Sequence, residues 1–141
     1  MSTTKKRILF LCTHNSCRSQ MAEALTSHYL SDSCQAFSAG TEATRVNPLA
    51  SRVLQELGVD TAALHSKTID SYIGQEFDHV VTLCGDANEK CPLFFGGVKR
   101  IHHGFEDPSR LHGSEEDVLP AFRQVRDAIK NWVVEYFGGI K

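Results

Sequence analysis

The feature that most constrains this chain is the stretch FLCTHNSCRSQMAE, residues 10–23. It follows directly on Arg7-Ile8-Leu9 and completes an almost unbroken apolar run, residues 7–12, that ends on Cys12. A run of that kind suits a central parallel strand buried on both faces. Beyond Arg18, Met21, Ala22, Leu25 and Tyr29 recur at helical spacing. The chain therefore predicts a strand, a short polar loop and a helix. A tight loop there turns successive backbone N–H groups inward, and the helix N-terminus adds partial positive charge. The resulting cup, formed by Thr13, His14, Asn15, Ser16, Cys17, Arg18 and Ser19, suits a tetrahedral oxyanion. Arg18 matches two anion oxygens with its planar fork, which a lysine could not. Cys12, at the rim, lies in the same field, and such settings favour the thiolate. Ser19 is placed to hydrogen-bond its sulfur.

The rest of the chain supplies the frame. Residues 34–39 read as a second strand stopped by Gly40, residues 79–83 as a third and residues 98–102 as a fourth. Asn47-Pro48 is a helix start, with Asn as cap and Pro in the first turn, and Gly58 closes that helix. Val118, Phe122, Val125, Ile129, Trp132 and Tyr136 step by three and four, which predicts a long amphipathic helix ended by Gly138 and Gly139. Strands alternating with helices indicate an α/β domain, residues 1–141, with a short four-stranded parallel sheet between helices. Such sheets bind ligands at the carboxyl ends of their strands, where Cys12 and Cys84 both fall.

Composition removes other classes. The net charge is −2 and no basic stripe is present, which argues against nucleic-acid binding. The apolar run from Ile8 to Cys12 is too short for a secretory signal or a bilayer span, so a cytoplasmic protein without membrane attachment is expected. Five cysteines, an odd number, argue against a secreted disulfide framework. They leave buried thiols, metal ligands or reactive groups. Cys17 reads as a packing residue in the loop and Cys34 as a buried strand residue. Cys84 and Cys91 could form half of a zinc site with His102 and His103, but six intervening residues fit the usual ligand spacing poorly. No metal site is predicted.

The loop, the position of its cysteine near the N-terminus and the later Asp107-Pro108 resemble the low-molecular-weight protein tyrosine phosphatase superfamily. That resemblance implies Cys12 as nucleophile, Arg18 as oxyanion holder and Asp107 as general acid. The stretch TLCGDANEKCP narrows it. With Asn15 to Glu23, Ser38-Ala-Gly40, Val46-Asn-Pro48, Phe105-Glu-Asp-Pro108 and Phe122 to Asp127, the chain resembles the thioredoxin-coupled arsenate reductases, a branch of that superfamily. The resemblance spans most of the chain from residue 7 onward. It implies reduction of arsenate to arsenite by a relay: Cys12 attacks arsenate, Cys84 attacks Cys12, and the disulfide passes from Cys12–Cys84 to Cys84–Cys91. Thioredoxin would restore the thiols, with no metal or organic cofactor, and phosphate or sulfate would mimic the substrate. A monomer is expected.

If residues 84–91 were helical, seven steps of about 1.5 Å would part the two Cα atoms by roughly 10 Å. A disulfide needs about 4.4–6.8 Å. The segment must therefore lose its helix when the pair oxidises, and Gly85, Asn88 and Pro92 make it a weak one.

Three departures bear on detail. Some relatives bind potassium beside the loop through an Asn, a Glu, a Ser and an Asp. Asn15, Glu23 and Ser38 match the first three, and Lys67 stands at the fourth, which predicts function without potassium. The phosphatase branch usually places an aromatic residue after its Asp-Pro, and Ser109 and Arg110 stand here instead. His14 replaces a glycine common among relatives. Two alternatives stay open: a phosphatase of this fold with a protective cysteine pair, and a non-catalytic thiol protein that binds a metal or metalloid.

Overall fold

The computed structural model describes residues 5–12, 17–40, 42, 44–72, 74–83 and 99–138. Four parallel strands, β1 (Lys6–Cys12), β2 (Cys34–Gly40), β3 (His79–Thr82) and β4 (Lys99–His102), form one sheet in the order β2-β1-β3-β4. Among the described residues three helices accompany it, α1 (Arg18–Tyr29), α2 (Pro48–Gln55) and α3 (Glu115–Phe137). The chain leaves β1 for one neighbour, β2, and returns to the other, β3. The order thus reverses at β1, and the crevice at a reversal is where sheets of this type bind ligands.

The alternation of β1 decides what lies where. Ile8, Phe10 and Cys12 face a core shared with Met21, Ala22 and Leu25 of α1, Val53 and Leu54 of α2, and Phe122 and Ile129 of α3. Leu9 and Leu11 face the opposite side, where Ile69, Tyr72 and Phe77 close over the sheet. A continuous apolar strand is the direct consequence of two covered faces. Among the described residues, the helices layer one face and the segment 69–77, with its 3-10 turn Ile69–Tyr72, layers the other. On that second face Arg7 lies over the rings of Phe37 and Phe77, each 4.8 Å from the guanidinium carbon.

The helix ends follow from their residues. Asn47 caps α2 by accepting from the Leu49 N–H at 2.8 Å, with Pro48 in the first turn. Gly58 takes φ +77 just past that helix, a conformation that favours glycine. Ser114 and Asp117 form a reciprocal capping box on α3. Pro120 sits in the opening turns of the same helix.

The buried face of α3 is wider than the stripe read from the sequence. It adds Leu119, Arg126, Val133 and Phe137, while Trp132 is half-buried and Tyr136 is exposed. The reason is that α3 packs on both α1 and α2, so its apolar face must turn toward two neighbours. Arg126 is buried there because its charge is met: Nη1 donates to the Val53 carbonyl at 2.9 Å and to Glu56 at 2.8 Å. Arg123 adds bonds of 2.8 and 3.0 Å to the same carboxylate. No helix among the described residues is long and apolar enough to cross a membrane.

The Glu56 clamp makes a pH prediction. Hydrogen bonds from Arg123, and then from Arg126, hold the Glu56 carboxyl down from its ordinary value of 4.5 to about 2. A depressed carboxyl stabilises the fold above its unfolded pKa and loses that effect as pH falls through its folded one. The protein should therefore exceed Glu56→Gln by about 1 kcal/mol at neutral pH, the scale of a partly exposed pair with good geometry. Urea unfolding of both proteins should show this gap undiminished above pH 4.5 and closing as the pH falls toward 2.

Candidate active site

The site begins where β1 stops. Cys12 is the last residue of the strand, 3% exposed and paired in register with Gly40. Its sulfur lies 2.9 Å from the Ser19 hydroxyl, which α1 places in its first turn. That contact joins strand end to helix start. Of the three described helices, α1 alone begins without a side-chain cap; its N-cap is Cys17, and no acidic residue stands in its first turn. Its positive end is left to act on whatever anion lies before it.

Arg18 is held by two contacts. Nη1 donates to the Phe105 carbonyl at 3.0 Å, and Nη2 lies 3.5 Å from an Asp107 carboxylate oxygen. Its Nε is buried and has no hydrogen-bond partner among the described residues. A guanidinium with an unmet buried N–H beside an uncapped helix start is suited to accept an oxyanion. Asp107 is fixed in turn by Ser109, whose N–H and hydroxyl donate to its other oxygen at 3.0 and 2.5 Å. Asp107 caps the 3-10 turn Pro108–Arg110, so the Asp-Pro pair has a structural duty as well as a position in the site.

Sequence reasoning placed Cys12, Cys17, Arg18, Ser19 and Asp107 together, and the structure does so. Burial pushes the Cys17 thiol far up, with further contributions from the neighbouring Asp107 and Cys12 and a partial offset from Arg18. Cys17 is 4% exposed and is thus a packing thiol, as its position suggests. Cys34 is 3% exposed, and burial raises its thiol too. Thr13, His14, Asn15 and Ser16 of the loop, and Cys84 and Cys91, lie outside the described residues. Leu83 is described; it follows β3, and its N–H donates to the Leu11 carbonyl. The residue before Cys84 thus runs beside the residue before Cys12. Among the described residues no group of three or more His, Cys, Asp or Glu side chains is placed to hold a metal ion.

Beside the loop, Ser38 donates to Glu23 at 2.7 Å, and the Lys67 ammonium lies 3.6 Å from the same carboxylate oxygen. Lys67 also donates to the His65 carbonyl at 2.8 Å. The buried Gln20 of α1 donates to that carbonyl at 2.9 Å. A lysine charge, set by a turn, therefore stands against Glu23. The Phe105 carbonyl and the Gln20 bond were not legible beforehand. Backbone acceptors carry no residue-type signal, and Gln20 was part of a motif without a role.

The chain belongs to the low molecular weight phosphotyrosine protein phosphatase family, whose model matches residues 7–141. Within it the chain is similar both to proteins named arsenate reductase and to phosphatases, among them the YwlE arginine phosphatase of Geobacillus stearothermophilus, which superposes with a TM-score of 0.68 at 27% identity, covering 91% of this chain and 88% of that one. The chain is 50% identical over 131 residues to a protein of Bacillus subtilis (strain 168) named arsenate reductase, covering 93% of this chain and 94% of that one. A solved structure of an arsenate reductase in the phosphate binding state superposes with a TM-score of 0.81 at 30% identity, covering 96% and 99% of the two chains. The thioredoxin-dependent arsenate reductase of Corynebacterium glutamicum superposes with a TM-score of 0.62 at 28% identity, covering 96% of this chain and 65% of that one.

The Lys67 arrangement predicts indifference to potassium. Exchanging sodium for potassium at constant ionic strength should leave the thermal unfolding midpoint unchanged, and Lys67→Met should lower stability by about 1–2 kcal/mol because Glu23 loses a charged partner. A midpoint of the parent protein that rises specifically with potassium would contradict this.

Proposed function

We propose that this protein reduces arsenate to arsenite with three cysteines and is returned to its starting state by thioredoxin. The observation that carries the reading is the Arg18 guanidinium, its buried Nε unmet among the described residues and its other nitrogens held by the Phe105 carbonyl and Asp107, near Cys12 at the start of a helix without a side-chain cap. The similarity to proteins named arsenate reductase supports the choice of substrate. The pair Cys84 and Cys91 separates it from a phosphatase, which needs neither.

Each residue then has a task. Arg18 and the N–H groups of the loop hold the oxyanion. Cys12, in contact with the Ser19 hydroxyl, attacks arsenic and displaces one oxygen. Asp107, held beside Arg18, delivers the proton that lets this oxygen leave as water. The Cys84 thiolate attacks the Cys12 sulfur; the sulfur–arsenic bond breaks and its electron pair reduces arsenic from the +5 to the +3 state. Arsenite leaves, and two thiols have become one Cys12–Cys84 disulfide. Cys91 then attacks Cys84, frees Cys12 and moves the disulfide to Cys84–Cys91, open to a dithiol protein. Every electron comes from thiols, so the reaction calls for no resident metal or organic cofactor. A reducing compartment such as the cytoplasm keeps the relay charged.

The test supplies arsenate, thioredoxin, thioredoxin reductase and NADPH. Arsenate-dependent NADPH oxidation is expected, and Cys12→Ser, Cys84→Ser and Cys91→Ser should each abolish it. Asp107→Asn should lower kcat by about 10²–10⁴-fold, the usual contribution of a positioned general acid. Arg18→Ala should disable the enzyme, whereas a thiol protein that only binds metalloid would keep its affinity for arsenite. Normal turnover by Cys91→Ser would overturn the last transfer and point to a small thiol as reductant.

A further inference from the structure

The residues that hold Arg18 are themselves held by rings. After β4 the segment 103–107 has no regular secondary structure, yet it presents both the Phe105 carbonyl and Asp107 to Arg18. Its backbone is tied at two points to the end of β3, from the His103 N–H to the Thr82 carbonyl at 2.9 Å and from the Phe105 N–H to the Leu83 carbonyl at 3.2 Å. Its side chains stack. The His103 imidazole lies on the Phe105 ring at 4.5 Å and 21°. Trp132 of α3 lies against that imidazole at 4.7 Å and meets the Phe105 ring edge-on at 6.2 Å. Tyr136 and Phe137 back Trp132 at 5.3 and 5.7 Å.

One detail shows what fixes the imidazole. His103 Nδ1 is buried and has no hydrogen-bond partner among the described residues. Among the described residues no polar contact at that nitrogen orients the ring, whereas Phe105 stacks on it and Trp132 packs against it. The support behind them is α3, a 23-residue helix closed at its start by a capping box. A path of contacts therefore runs from a rigid helix, through Trp132, His103 and Phe105, to the carbonyl that binds the Arg18 guanidinium.

We propose that Trp132 is a positioning residue of the oxyanion site, clamping the His103–Phe105 stack so that the Phe105 carbonyl sets the orientation of Arg18. The inference rests on the reading of Arg18 as the anion holder. Trp132 touches no reacting atom; it acts only through the stack. A guanidinium free to swing would still be charged but would meet the anion oxygens out of line, and small errors of placement at such sites cost large factors. Affinity for a tetrahedral anion should then fall with little change in the fold.

Binding of inorganic phosphate, by titration calorimetry well below the unfolding midpoint, reads this without requiring arsenate reduction. Trp132→Leu, which keeps bulk but not the stacking face, should weaken phosphate by about 10-fold. Trp132→Phe, which restores a ring, should stay within about 2-fold of the parent. In an Arg18→Lys background, where the fork is already gone, Trp132→Leu should cost less than about 2-fold more. Should Trp132→Leu fail to fold, His103→Leu removes the middle ring instead and should give the same pattern. An unchanged phosphate affinity in the folded leucine variant overturns the proposal. So does an equal loss in both backgrounds, which would make Trp132 a general stabiliser. Failure of the parent to bind phosphate would overturn the reading of Arg18 itself.

Discussion

The meeting of a strand end with a helix start is the constraint on which this molecule depends. Cys12 and Ser19 touch at 2.9 Å because β1 and α1 converge there, with both faces of β1 buried. The first N–H groups of α1 lie at this convergence, and no side-chain cap among the described residues quenches them. Elsewhere the chain caps its helices, with Asn47 on α2 and Ser114 on α3. The exception falls where an anion must be held, and the stabilisation an N-cap would provide, typically about 1 kcal/mol, is forgone there.

The same junction explains the division of labour among the thiols. Cys12 ends the strand, with its sulfur 2.9 Å from the Ser19 hydroxyl. Cys17, one residue before Arg18, faces inward and is raised by burial, so it packs rather than reacts. Leu83, the last described residue before Cys84, is hydrogen-bonded to Leu11, the residue before Cys12. The proposed redox step adds thiol chemistry to a family described as phosphotyrosine protein phosphatases.

Much of this was legible in the sequence, and the reasons are physical. The strand of residues 7–12 could be read because burial on both faces leaves no polar position after Arg7, and α2 because Asn47-Pro48 leaves little else to begin there. The loop could be read because few other uses exist for a cysteine, small polar residues and an arginine between strand and helix. What stayed hidden is of two kinds. Arg126 was hidden because a charge inside a helical face normally marks solvent, whereas here Glu56 and the Val53 carbonyl meet it. The Phe105 carbonyl and the ring stack behind it were hidden because a backbone acceptor has no letter, and Trp132 fitted the apolar stripe of α3 equally well.

The central claim is that Cys12 becomes joined to Cys84 as arsenate is reduced. The direct measurement gives Cys91→Ser one equivalent of arsenate without any reductant, then maps disulfides by mass spectrometry of its peptides. The account predicts one equivalent of arsenite and a Cys12–Cys84 bridge. Arsenite released with those two thiols still free, or with Cys12 bridged to Cys17 instead, would contradict it.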